Sequence, residues 1–269
     1  VGRRLRRLIG TAWAWDSALT VPGGADVSLG AVTHVGVRAD RTRRGVLSTL
    51  MRAQLTDLAE RGAVAAGLHA TEAAIYGRFG YGAATLGRDL RIQRARARVR
   101  DDAPAGGRVE LHDLDGLIGR VPEVYPRAAT RPGMLARPDA WWGMMRSHLT
   151  RPSATRPQGV THEGPDGIDG FAVYTVERTK GDQAKLTVVD LHTANTAAAA
   201  GLWRYLLSVD LVDTIEAALR PVDEPLDLLL TDPRAVSTTD LGDDLWLRLI
   251  DVPAALAART YGDEQLVAR

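Results

Sequence analysis

Apolar and polar side chains alternate through residues 8 to 21 (LIGTAWAWDSALTV), and the aromatic and β-branched residues among them favour a half-buried strand. VPGG, residues 21 to 24, turns the chain, and the more apolar LGAVTHVGV, residues 29 to 37, predicts a second strand. The period then changes. Val46, Leu47, Leu50, Met51, Leu55 and Leu58 recur three and four apart, with Arg52, Asp57, Glu60 and Arg61 mostly between them, which predicts an amphipathic helix ended by Gly62. Residues 63 to 71 (AVAAGLHAT) read as a short strand, 72 to 79 (EAAIYGRF) as a short helix closed by Gly80, and 84 to 100 (ATLGRDLRIQRARARVR) as a last strand. The order strand, loop, helix, strand requires a parallel crossover, so the first region is α/β.

Residues 101 to 107 (DDAPAGG) have the composition of a linker. Beyond them the pattern predicts a second block: RVELHDLDGL from residue 108, a helix through 138 to 149, an irregular stretch over 150 to 167, and strands over 170 to 179 and 184 to 193. A helix over 196 to 209 follows, and EPLDLLLTD (224 to 232) and DDLWLRLID (243 to 251) read as strands that close the block. The expected organisation is therefore a first domain over 1 to 100, a second over 108 to 255, and a connection over 256 to 269. LTVVDLHTANTAAAAGLWRYLLSVD (186 to 210) weakly repeats the strand, loop, long helix order of the first block, but its loop HTANTA holds neither arginine nor glycine.

Composition narrows the classes. At 45% hydrophobic residues the chain can form a core, and 34 Lys and Arg against 33 Asp and Glu leave no overall field for nucleic acid or an anionic membrane, so any anion site is local. The absence of cysteine excludes disulfides, thiolate metal sites and cysteine nucleophiles and fits a reducing cytoplasm. No run has the apolar length of a membrane span and none has the pattern of a signal peptide, so the chain reads as cytosolic. It opens on Val1 in mid-pattern, as a piece of a longer protein would. The six histidines show no ligand spacing, so no metal is expected. RIQRARARVR lacks the aromatics of a nucleic-acid stripe and runs into Asp101 and Asp102, which favours an exposed strand edge. Trp13 and Trp15 share one face of a strand; they could wall an acceptor pocket, but core or sheet-surface packing is the better reading.

Chemistry concentrates at RTRRGVLSTLMRAQL, residues 41 to 55, where three arginines and a glycine precede the helix. Helix N-termini carry unpaired N–H groups and a partial positive charge, so a tight turn there can receive phosphate. Gly45 permits close approach, and Arg43 and Arg44 can add charge-assisted hydrogen bonds. On these residues alone a solvated basic loop explains the cluster equally well.

The spacing from VGV to this turn, together with GLHATEAAIYGRFGYG (67 to 82), resembles the GNAT superfamily of acetyl-CoA-dependent N-acetyltransferases, and more narrowly its Eis (enhanced intracellular survival) family. The family pattern is a valine-alternating strand, a turn T-H-R-R-R-G-[LV]-L, a long helix, then A-L-[RH]-A-S-E-x-x-I-Y-G-R-F-G-Y-G; LLLTD and DDLWLRLIDVPAALAARTYG extend the likeness toward the chain's end. The resemblance implies tandem GNAT-like domains in an α/β mixed-sheet fold, the first truncated at its N-terminus, the second without a pyrophosphate loop, and a third, sterol-carrier-like domain missing beyond residue 269. It places the pantetheine arm of acetyl-CoA beside Val35, Gly36 and Val37, and the pyrophosphate on Arg43, Arg44, Gly45, Val46, Leu47 and Ser48. Thr71 and Glu72 border the site, with Thr71 where the family usually has serine, and Tyr76 is the general acid. Thr42 and Leu47 depart from the superfamily loop [QR]-x-x-G-x-[GA], so Arg43 and Arg44 carry its charge. The implied acceptors are primary amines such as aminoglycosides or lysine-containing peptides, the implied base is a chain-terminal carboxylate outside this sequence, and the implied assembly is a hexamer. The competing expectation is a GNAT-like binding or scaffold protein without catalysis.

Overall fold

A computed structural model describes residues 8–151, 155–178 and 184–262. Residues 1 to 7, 152 to 154, Thr179 and the tail from 263 to 269, all covered by the expectations above, lie outside the described residues. In chain order the strands are β1 (Gly10–Thr20), β2 (Asp26–Val37), β3 (Ala65–His69), β4 (Gly82–Ala83), β5 (Leu86–Gln93), β6 (Arg108–His112), β7 (Gln158–Gly164), β8 (Gly167–Arg178), β9 (Ala184–Thr193), β10 (Thr214–Pro221), β11 (Val236–Asp243) and β12 (Leu245–Leu249). The helices are α1 (Val46–Glu60), α2 (Ala73–Tyr76), α3 (Leu114–Ile118), α4 (Val121–Ala128), α5 (Asp139–Leu149), α6 (Thr196–Ser208), α7 (Leu226–Leu229) and α8 (Val252–Ala257).

The chain gathers into two compact units. One comprises the residues through Thr85, a short excursion over 131 to 136, and the residues from Leu245. Its sheet runs β1-β2-β3-β12-β4, with β2 and β3 parallel through α1 and the other neighbours antiparallel. α1 turns Met51 and Leu58 inward, onto a cluster with Val32, Ala66, Leu68, Tyr76 and Tyr81. The helix can lie this close because Gly30 has no side chain: a Cβ there would sit 2.4 Å from Leu58.

The other unit takes residues 86 to 130 and 137 to 244. Its sheet runs β11-β5-β10-β9-β8-β7-β6, in which only β9 and β10, joined by α6, are parallel. Leu202, Trp203 and Leu206 of α6 pack into a core with Ile92, Val160, Tyr174, Leu186 and Ile215.

Several expectations are corrected. The units do not divide at 101 to 107: β5 belongs to the second sheet, where Leu90 and Ile92 are buried, and β12 returns to the first, so DDLWLRLID does not close the second block. Nor is β5 an exposed edge, since it lies between β10 and β11, and the strand stops at Gln93. The arginine charge around it is matched locally, by Glu216 for Arg91, Asp232 for Arg96, Asp101 for Arg98 and Asp102 for Arg100. EPLDLLLTD is not a strand either; Leu226 and Leu229, three apart, are the buried face of the short helix α7. The irregular stretch over 150 to 167 contains β7, whose buried residues include the polar Thr161 and His162, and β10 and β11 are strands that the expectations above do not include: β10 buries only Ile215 and Ala217, and β11 buries no residue.

Candidate functional site

β2 and β3 pair over three residue pairs only, Leu29 with Ala65 through Ala31 with Gly67. Past that point β3 ends at His69 while β2 runs on to Val37 against β1 alone, so a gap opens between the carboxyl ends of two parallel strands. A bulge bends β2 there: Thr11 faces Gly36 and Trp13 faces Thr33, leaving His34 and Val35 opposite Ala12, and His34 takes a φ of 50°. The Arg38 N–H donates to the Ile9 carbonyl at 2.9 Å, which makes Gly10 and Val37 a non-hydrogen-bonded pair. The N–H and C=O of Val37 therefore point away from β1, toward the side that β3 has left.

From this strand the chain enters the basic turn. Arg43 and Gly45 take left-handed φ values of 58° and 77°, and Gly45 caps α1 without any side-chain hydrogen bond. The first helical bond runs from the Thr49 N–H to the Gly45 carbonyl at 2.9 Å, and the amides of Val46, Leu47 and Ser48 have no hydrogen-bond acceptor among the described residues. A Cβ on Gly45 would meet nothing within 4 Å, and the first turn of α1 holds no acidic residue. Arg38 is committed to Asp40 through two hydrogen bonds of 2.7 Å, and the Thr42 hydroxyl donates to the Ala39 carbonyl at 3.1 Å. Arg43 and Arg44, by contrast, are exposed and have no acidic partner among the described residues. Free amides and two guanidinium groups without acidic partners among the described residues give this turn groups of the kind that hydrogen-bond anions.

Tyr76 closes α2 and is 7% exposed. Its ring shares the apolar cluster with Val32, Met51 and Leu68 and with the half-buried Val35 and Leu47, so three of the residues singled out from sequence meet in one cluster. Burial pushes the phenol above its usual value, which keeps it protonated throughout the neutral range. Thr71 and Glu72 are exposed at the head of the segment that carries Tyr76, and Glu72 makes no side-chain cap. Gly36 is exposed and Val37 half-buried on the free edge of β2. One neighbour was missed from sequence: Tyr81 packs edge-on to Tyr76 with ring centroids 6.0 Å apart. Its signal was present as the second tyrosine of YGRFGY. Among the described residues no group of three or more His, Asp or Glu side chains could hold a metal, and no helix is long and apolar enough to cross a membrane.

A parallel strand pair that diverges beside an uncapped, glycine-led helix defines a GNAT-type fold. Two different family models, each described as an acetyltransferase (GNAT) domain, match residues 2–84 and 133–249. An N-acetyltransferase of Streptomyces griseus is 39% identical over 272 residues, covering 96% of this chain and 65% of the relative. N-acetyltransferase Eis of Mycobacterium tuberculosis is 36% identical over 262 residues, covering 96% and 64%. The crystal structure of Eis1 from Mycobacterium abscessus superposes with a TM-score of 0.86 at 42% identity, covering 98% of this chain and 67% of that one. The chain belongs to the Eis family of GNAT proteins. It spans about 65% of the length of the Streptomyces griseus relative.

Proposed function

We propose that the protein is an N-acetyltransferase that moves an acetyl group from acetyl-CoA to a primary amine, and that the first unit carries the site. The observation behind this reading is the free edge of β2 leading into an uncapped α1 flanked by two arginines that have no acidic partner among the described residues. These groups fit coenzyme A in order: the edge at Val35, Gly36 and Val37 for the amide-bearing pantetheine arm, and the turn from Arg43 to Ser48 for the diphosphate, with Thr71 and Glu72 as a border. Bound there, acetyl-CoA supplies an activated thioester carbonyl. The Val37 N–H is a donor for charge developing on that carbonyl oxygen. The usual phenol value of about 10, raised by burial, keeps Tyr76 protonated at neutral pH, so it has a proton to give to the sulfur as the carbon–sulfur bond breaks. The family likeness supports aminoglycosides or lysine side chains as the acceptor class.

The test follows thiol release by full-length protein supplied with acetyl-CoA and an aminoglycoside. Tyr76→Phe is expected to lower kcat by about a hundredfold, within the range of general acid catalysis, and to leave coenzyme affinity unchanged. A Phe variant as active as its parent removes Tyr76 from the chemistry, and coenzyme binding without turnover for any amine would make the protein a scaffold.

A further inference from the structure

The hydroxyl of Tyr81 is a buried group without a partner. The residue is 4% exposed, and among the described residues nothing hydrogen-bonds its oxygen. Tyr81 is the one hydroxyl-bearing side chain with such an orphaned atom there; the others are on Arg41, Gln54, Arg88 and Asp227. Leaving a buried hydroxyl unpaired costs stability, and phenylalanine would fill the same space without that cost. A partner that exists only during the reaction explains why the hydroxyl is tolerated. Tyr76 is a candidate: its ring meets that of Tyr81 edge-on, with centroids 6.0 Å apart, in one buried cluster. Tyr81 also senses the charge of Tyr76: burial raises the Tyr81 phenol, ionisation of Tyr76 raises it further, and the Arg248 guanidinium acts in the opposite direction.

We propose that Tyr81 is a positioning residue whose hydroxyl donates a hydrogen bond to the Tyr76 oxygen as Tyr76 gives up its proton. The inference rests on Tyr76 being the general acid. When the O–H bond of Tyr76 breaks and an S–H bond forms on the departing thiolate, the electron pair stays on the Tyr76 oxygen. Tyr81 keeps its own proton and shares it with that oxygen. A donor idle in the ground state and engaged only as charge appears lowers the barrier without tightening coenzyme binding.

The experiment compares Tyr81→Phe and Tyr76→Phe in full-length protein by thermal melting, coenzyme titration and kcat against pH. For Tyr81→Phe we expect a Tm equal to or above the parent's, unchanged coenzyme affinity, and kcat lowered about tenfold, the loss of one hydrogen bond to a charged group. Its alkaline limb should move to higher pH, because the phenolate of Tyr76 has lost a donor. A Tyr81→Phe enzyme with parental kcat and an unmoved limb, beside an inactive Tyr76→Phe, overturns this inference alone. A lowered Tm with an unmoved limb also overturns it, by showing a structural role. An active Tyr76→Phe overturns the general-acid reading and this inference with it.

Discussion

In the first unit β2 passes through Gly45 into α1 with no side chain on the cap; in the second, β9 passes through Asn195 into α6, and Asn195 Oδ1 accepts the Ala198 N–H at 2.8 Å. Asn195 Nδ2 in turn donates to Asp169 at 2.8 Å, and the other Asp169 oxygen lies 2.6 Å from His162 Nδ1, so a carboxylate already stands at the head of α6. The gaps differ too. β9 and β10 pair from Lys185 with Thr214 to Val188 with Ala217, and beyond them Arg220 donates to the Leu191 carbonyl at 2.9 Å. Glu224 holds that guanidinium at 2.6 and 3.0 Å and accepts the Trp203 indole N–H at 2.8 Å. In the first unit, among the described residues, β2 pairs with no strand past Ala31 on the side where β3 diverges. One scaffold thus occurs twice, and the two copies differ in what they leave unpaired, which is the ground for proposing the first as the coenzyme site.

The comparison can be broken most severely at Arg220. Arg220→Met strands the nearly buried Glu224 carboxylate and is expected to cost about 3 to 5 kcal/mol in denaturant unfolding, with coenzyme affinity in the surviving folded protein unchanged. A loss below about 1 kcal/mol, the size of a surface pair, would mean that this ion pair does not close the second gap.

Removing both free guanidinium groups, Arg43→Ala with Arg44→Ala, is expected to weaken coenzyme A binding about a hundredfold by calorimetry and to flatten its salt dependence, while the Tm stays put. Parental affinity would return the turn to the status of a solvated loop.

Smaller effects sharpen the contrast between the two caps. Gly45→Ala forces a Cβ onto a φ of 77° and should cost about 1 to 2 kcal/mol of stability, with weaker coenzyme binding. Asn195→Ala should cost about 1 kcal/mol through the lost cap and leave coenzyme binding alone. Equal effects of the two variants on binding would erase the distinction.

The smallest effect is in pH. Burial raises both Tyr76 and Tyr81, so each contributes stability that is fully present below the unfolded phenol value of about 10 and is lost as pH rises through the raised folded values. Unfolding free energy followed into the alkaline range should fall less steeply in Tyr76→Phe than in the parent.

The basic turn and α1 were legible in the sequence because their signals are local: a glycine that takes positive φ, arginines before it, and a 3.6-residue apolar period after it. The splay of β2 from β3 has no local signal and is implied only by the family resemblance, because it depends on where a non-local partner stops pairing. The same reason hid the exchange of β5 and β12. Leu90 and Ile92 announce a buried strand, but nothing in LGRDLRIQ says that its partners are TIEAALRP and VSTTDLGD. Tyr76 was found through a family pattern, whereas Tyr81 stood in the same motif and was passed over, since only its packing shows a hydroxyl without a partner.

The most direct test is a crystal structure of the protein with coenzyme A. Diphosphate oxygens are expected within about 3 Å of amides in the run from Arg43 to Ser48, with the sulfur beside the Tyr76 hydroxyl. Diphosphate bound at the head of α6, or anywhere away from Gly45, would contradict it.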